Sequence, residues 1–277
     1  PSFGSWVSYG LGSENADLPT FVVLITQGFG NMQALSARFW GSGFLPSEHQ
    51  GCRLRAGKTP VLFLDDPDGV ERDDRRAMLD LVAELNEREF AKTLDPEIHA
   101  RLAQYEMAYR MQMSVPELTD FSGEDEETLA MYGPDVKKPG SFAANCLLAR
   151  RLVERGVRFV QIYSGGNHND HNWDAHGDLV FNHTLHAGAT DRPIAALLTD
   201  LKQRGLLDST IVVWGGEFGR QPTAEYEKGT GRDHDSAGFT MWLAGGGIKG
   251  GTIYGATDDF SYNIRSEEHT SELQSRQ

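Results

Sequence analysis

Phe142-Ala143-Ala144-Asn145-Cys146-Leu147-Leu148-Ala149-Arg150-Arg151-Leu152-Val153-Glu154-Arg155-Gly156-Val157-Arg158-Phe159-Val160-Gln161-Ile162-Tyr163 is the stretch that decides the fold class. Up to Arg155 its apolar side chains recur with the spacing of an amphipathic helix. Gly156 fits a helix C-terminus, because glycine takes the left-handed backbone conformation at little steric cost. Val157 to Tyr163 follows as a β-rich apolar run. A helix that turns on a glycine directly into a strand is a building unit of α/β layers.

The pattern repeats along the chain. Residues 192–204 read as a helix with Pro193 near its start and Gly205 past its end, followed by the strand Thr210-Ile211-Val212-Val213-Trp214. Phe21-Val22-Val23-Leu24-Ile25, Pro60-Val61-Leu62-Phe63-Leu64 and Phe239-Thr240-Met241-Trp242-Leu243-Ala244 are further apolar runs. Runs of this kind suit strands of a largely buried, mostly parallel sheet. Residues 72–113 are charged and rich in helix formers, which predicts two helices broken near Asp95-Pro96. Residues 119–140 are acidic and turn-rich and read as a solvated surface insertion or hinge.

At 277 residues the chain can form one large α/β domain or two small ones. A net charge of −14, a pI near 5.0 and the lack of Lys/Arg blocks interleaved with aromatics exclude nucleic acid as the main partner. No apolar run reaches the roughly 18 residues that span a bilayer. The two cysteines, Cys52 and Cys146, have no C-x-x-C spacing, so neither a thiolate zinc site nor a disulfide framework is indicated. Cys146 sits within the apolar helical pattern and reads as a buried structural thiol.

Chemistry concentrates in three loops, each after a predicted strand. The first carries His168, Asp170, His171, Asp174 and His176, with His183 and His186 close behind; these are five of the nine histidines in the chain. Imidazole and carboxylate are the donors that hold Zn²⁺, Mn²⁺ or Fe at neutral pH. Asp174 and His176 are two apart and can point the same way from an extended or turn segment, converging on one cation. His168, Asp170 and His171 can be ligands, outer hydrogen-bond partners or plain loop residues; spacing does not separate these.

The second loop is Gly215-Gly216-Glu217-Phe218-Gly219-Arg220. Glu217 can bind metal and Arg220 can hold an oxyanion bidentately, or the two can form a surface pair worth little. The third is Gly229-Thr230-Gly231-Arg232-Asp233-His234-Asp235, where a histidine again lies among carboxylates and Arg232 offers a second anion contact. Carboxylates and imidazoles brought together from several loops suit a metal centre that activates a nucleophile and stabilises charge on a phosphoryl or sulfuryl group.

Ser5-Trp6-Val7-Ser8-Tyr9-Gly10-Leu11-Gly12-Ser13-Glu14-Asn15, Gly43-Phe44-Leu45-Pro46, the run from Asn145 to Val160, Trp173-Asp174-Ala175-His176-Gly177, Trp214 to Arg220 and Gly231-Arg232-Asp233-His234 closely resemble the DUF1501 family, abundant in planctomycetes and related bacteria. The resemblance covers residues 1–264, and several long motifs agree in order and spacing. The family in turn resembles the alkaline phosphatase and sulfatase superfamily. That implies an α/β sandwich with a mostly parallel central sheet and a metal centre at the strand ends, here incomplete at both chain ends. It implies that Asp174 and His176 form a D-x-H metal motif, that Glu217 stands where relatives carry an Asp-His pair, and that His234 is the last metal-binding histidine, with Asp233 a weaker candidate. One or two divalent ions, Zn or Mn, would be held there, with Arg220 or Arg232 on the substrate anion.

The expected nucleophile and an export signal both fall upstream of Pro1, so the resemblance implies a fragment of an exported, periplasmic or secreted hydrolase. Its substrate would be a small phosphate or sulfate ester. From Arg265 onward, Ser266-Glu267-Glu268-His269-Thr270-Ser271-Glu272-Leu273-Gln274-Ser275 resembles a translated sequencing-adapter oligonucleotide, which places 265–277 outside the native domain. The rival expectation is a secreted binding or scaffold protein that keeps the fold without catalysis. Oligomeric state is not readable from the sequence.

Overall fold

The computed structural model describes residues 1–27, 35–55, 60, 69–165, 172–216 and 218–265, apart from the Met113 side chain. The expected strand at 60–64 therefore lies almost wholly outside the described residues, as do His168, Asp170, His171, Glu217 and 266–277. The chain divides into two compact units: Pro1–Ser164 with Arg192–Leu197, and Gly165–Asp191 with the described residues from Leu198 on.

The first unit is built on a three-stranded parallel sheet. Strand β1 (Phe21–Ile25) lies between β2 (Cys52–Leu54) and β3 (Phe159–Tyr163), with Val22 opposite both Cys52 and Val160. All five β1 residues are buried, as expected for an uninterrupted apolar run. Because side chains alternate along a strand, β1 feeds two cores. Val22 and Leu24 pack with Leu54, Val115, Leu118, Leu148 and Leu152 on one face, and Phe21, Val23 and Ile25 pack with Trp40 on the other. Burying each such aliphatic side chain stabilises the fold by about 1.5–3 kcal/mol.

The predicted helix–glycine–strand unit forms. Helix α5 (Phe142–Glu154) starts at Ser141, whose hydroxyl accepts from the Ala144 N–H at 3.0 Å. At its end Gly156 has φ +82°, its N–H bonds to the Val153 carbonyl at 2.9 Å, and the Val157 N–H bonds to that of Leu152 at 3.0 Å. These two bonds satisfy carbonyls that would otherwise be orphaned at the helix end and aim the chain into β3. The Phe21–Phe159 face is covered by α1 (Phe3–Leu11), and the approach is close enough that a Cβ on Gly4 would lie 2.6 Å from the Phe21 ring.

The break near Asp95 is also present, between α2 (Arg72–Thr93) and α3 (Glu97–Thr119). Helix α3 continues past Met113, because Val115 and Leu118 are fully buried in the core and Pro116 is accommodated inside the helix. Residues 119–140 include α4 (Glu126–Tyr132) and a 3₁₀ turn at Pro134–Lys137. Leu129, Tyr132 and Val136 are buried there, and Glu124 is sequestered against Arg150 and Arg151. Glu126 and Glu127 face solvent.

Cys146 is buried, and burial pushes its thiol well above the ordinary range; Cys52 is pushed up to about 11. The thiolate is the reactive form. Under native conditions at neutral pH Cys146 should therefore resist an exposed-thiol reagent such as DTNB and react only on unfolding; rapid native labelling would contradict its placement.

In the second unit α6 (Leu179–Gln203) begins thirteen residues before the expected start at Arg192, with Pro193 inside it and Gly205 at φ +71° after it. Pro is favoured at a helix start but is tolerated inside a helix when tertiary packing supports the rest. Strands β4 (Ile211–Gly215) and β7 (Met241–Gly245) pair with each other antiparallel as a two-stranded sheet. This corrects the expectation that both join a mostly parallel sheet. Among the described residues between them lie β5 (Gly219–Arg220), β6 (His234–Asp235) and loops, and without a crossover helix neighbouring strands pair antiparallel.

Candidate metal centre

Strands β5 and β6 pair antiparallel with Arg220 directly opposite His234, so their side chains stand together on one face. The loop before α6 meets that face. Its backbone is folded tightly, with hydrogen bonds from Ala175 N–H to Trp173 O (3.0 Å) and from His176 N–H to Asp174 O (3.1 Å). It is strapped to the β6 approach by the Arg232 N–H on Ala175 O (2.9 Å) and the Asp178 N–H on Thr230 Oγ1 (2.8 Å). Gly231 is buried in this strap: a Cβ there would overlap the carbonyl groups of His176 and Ala175.

This brings together residues from all three loops singled out in the sequence. Asp174 Oδ1 lies 2.9 Å from His234 Nε2 and 3.1 Å from His176 Nε2, and the two Nε2 atoms are 3.1 Å apart. The Phe218 ring packs against His234 at 4.5 Å between centroids. Arg220 Nη2 is 2.5 Å from Asp174 Oδ1. On the other side of the His176 ring, Nδ1 is 2.8 Å from Glu225 Oε2, and Asp233 completes a second group with these two.

Burial alone would raise the Asp174 carboxyl. Hydrogen bonds with His234 and Arg220, together with the Arg220 charge, outweigh burial and hold it below the usual carboxylate value. His183 behaves oppositely: burial and the Arg220 charge keep its imidazole below its usual value, against a bond to the Trp173 backbone.

Among the described residues two groups of three donors can therefore hold a metal ion, Asp174/His176/His234 and His176/Glu225/Asp233. The first passes a geometric test. Bonds of about 2.1 Å put adjacent ligand atoms about 3.0 Å apart on an octahedral face and about 3.4 Å apart in a tetrahedron. The triangle of 2.9, 3.1 and 3.1 Å matches the octahedral face. Formally, Asp174, Glu225 and Asp233 against Arg220 leave two negative charges for a divalent cation to neutralise.

The remaining candidates make contacts of their own. The Arg232 guanidinium donates to the Gly231 carbonyl at 2.7 Å. Asp233 Oδ1 accepts from the His234 N–H at 2.7 Å. His183 and His186 share a face of α6 and pack on Trp173, with ring centroids 5.6 and 5.2 Å away, and His186 is fully buried. Glu225 and Phe218 were not picked out in the sequence. Phe218 stood inside a quoted motif, whereas nothing local marks Glu225.

The family model described as "Protein of unknown function (DUF1501)" matches residues 1–274. The chain belongs to the DUF1501 family. No curated protein and no solved structure matches this DUF1501 chain. Among the described residues no helix is long and apolar enough to cross a membrane.

Proposed function

We propose that this DUF1501 chain carries the divalent-cation site of an exported hydrolase acting on small phosphate or sulfate esters, on an alkaline phosphatase-like scaffold. One observation carries the metal reading. Asp174 Oδ1, His176 Nε2 and His234 Nε2 lie mutually within 3.1 Å, and the three contacts cannot all be hydrogen bonds, because each Nε2 carries at most one proton and two donors on Oδ1 leave the imidazoles facing each other N–H to N–H. A cation between them accepts a lone pair from each. Zn²⁺ or Mn²⁺ suits the donor set, and such an ion polarises an ester oxygen and generates a nucleophile at neutral pH.

Around that ion the chain's own residues have separable tasks. Asp174, His176 and His234 hold it, with Glu217 and Asp233 as further candidates from the sequence. Arg220 lies beside Asp174 with a buried Nη1 that makes no hydrogen bond among the described residues, which is a donor to offer an ester oxyanion. Phe218 shields one side of His234 from water. For the scaffold, support comes from the parallel β2–β1–β3 sheet, with α1 on one face and α3 and α5 on the other.

The rival reading, a non-catalytic binding or scaffold protein, is favoured by a single feature: Arg220 already neutralises Asp174. The two separate in one experiment. Expressed together with any sequence that precedes Pro1, the protein with Zn²⁺ or Mn²⁺ should hydrolyse an aryl phosphate or aryl sulfate, and His234→Ala should lower the rate at least tenfold. Equal rates for the two would sink the hydrolase reading.

A further inference from the structure

We propose that Glu225 is a positioning residue for His176. Its carboxylate keeps the imidazole proton on Nδ1, leaving Nε2 bare toward Asp174 and His234, and thereby limits the centre to one cation. This rests on the metal reading above and assigns a role to a carboxylate that the sequence did not reveal.

His176 is shared by both donor groups. Its Nε2 faces Asp174 and His234, and its Nδ1 faces Glu225. A neutral imidazole has one bare nitrogen and one N–H, so it serves one ion at a time. The tautomer therefore decides which group can be filled.

With the proton on Nε2, the Nδ1 lone pair would face the Glu225 carboxylate at 2.8 Å, two acceptors in contact. With the proton on Nδ1, the same contact is attractive. Nδ1 is shut off from solvent, so water does not substitute for Glu225 as its acceptor. The carboxylate lies at ion-pair distance, half exposed and off the axis of the ring N–H. The alternative ion position, among Nδ1, Glu225 and Asp233, needs the Nδ1 lone pair, which this tautomer removes. A carboxylate behind a ligating histidine fixes ring orientation and raises its basicity, and its loss costs about 10–100-fold in metal affinity.

The test compares wild type, Glu225→Ala and Glu225→Gln by ¹⁵N NMR of the His176 ring, first without metal and then with one equivalent of Zn²⁺. Zinc affinity by chelator competition and zinc content per chain are measured alongside. Metal-free wild type should show the Nδ1–H tautomer, and Glu225→Ala should lose that preference. Zinc should shift Nε2, and Glu225→Ala should bind it about 10–100-fold more weakly at an unchanged one ion per chain. Glu225→Gln retains an acceptor oxygen and should recover most of the affinity.

An Nε2–H tautomer in wild type, unchanged affinity in Glu225→Ala, or a fall from two ions to one in that variant would each overturn the proposal; the last would make Glu225 a ligand. A wild type that takes up no zinc, yet changes tautomer with Glu225→Ala, would sink the metal reading and leave the positioning role standing.

Discussion

Glu124→Ala should destabilise the first unit by about 3 kcal/mol, at the low end of the ~3–5 kcal/mol typical for breaking a buried ion pair. The Glu124 side chain is 7 % exposed, and those of Arg150 and Arg151 are 2 % and 9 %. Its two carboxylate oxygens serve the two guanidiniums separately, with Arg150 Nη2 at 2.5 Å from Oε2 and Arg151 Nη1 on Oε1. The low end applies because neither arginine is left bare. Arg150 keeps Glu154 at 2.8 Å, and Arg151 keeps the Leu118 and Glu117 carbonyls at 2.9 and 2.8 Å.

At about 2–4 °C per kcal/mol for a unit of this size, Tm should fall by roughly 6–12 °C. Burial raises the Glu124 carboxyl, but the two arginines more than reverse that and hold it below its usual value. The folded state then binds this proton less readily than the unfolded chain. Its contribution is complete above the unfolded carboxyl pKa of about 4.3 and is lost as pH falls through the lower folded value. The stability gap between wild type and Glu124→Gln should therefore narrow on acidification below pH ~4. A gap that stays constant or widens, or a Glu124→Ala Tm equal to wild type, would count against a buried pair.

The parts of this molecule that were legible in the sequence are those fixed by local signals. The apolar helical spacing and Gly156 mark both ends of α5 within a few residues, because these signals act between near neighbours. The unbroken Phe21–Ile25 run announced a strand buried on both faces. Direction was not legible: the runs that became β4 and β7 look like parallel core strands, and what joins them sets their pairing. Pro193 misplaced the start of α6, since a local preference for the first turn says nothing about packing upstream. That earlier start is what sets His183 and His186 three apart on one helical face against Trp173.

The same division holds at the candidate site. Asp174 and His176 were readable because residues two apart in a turn can converge, and His234 because it stood among carboxylates. Glu225 was not readable, since its place beside His176 depends on how the loop after β5 returns to pair as β6. Arg232 had the right charge, but its guanidinium turns back onto the adjacent Gly231 carbonyl.

Gly231→Ala should cripple this centre without touching a donor atom. The added methyl would overlap backbone atoms of His176 and Ala175, not the flexible tip of a side chain. Relief therefore requires the 174–178 loop to move off its strap, which breaks the 2.9 Å bond from the Arg232 N–H to Ala175 O. Overpacking of this kind costs about 1–3 kcal/mol. Asp174 and His176 ride on the loop while His234 stays with β6, so the triangle of 2.9, 3.1 and 3.1 Å opens. A misplacement of about an ångström in a preorganised site is ruinous, and Zn²⁺ or Mn²⁺ affinity should fall at least tenfold. Gly177→Ala is the matched comparison. It sits next to His176, a Cβ there meets nothing within 4 Å, and its φ is not positive, so metal affinity should stay within about twofold of wild type. Equal affinities for the two variants, measured by metal titration, would mean that the loop strap does not hold the donors in register.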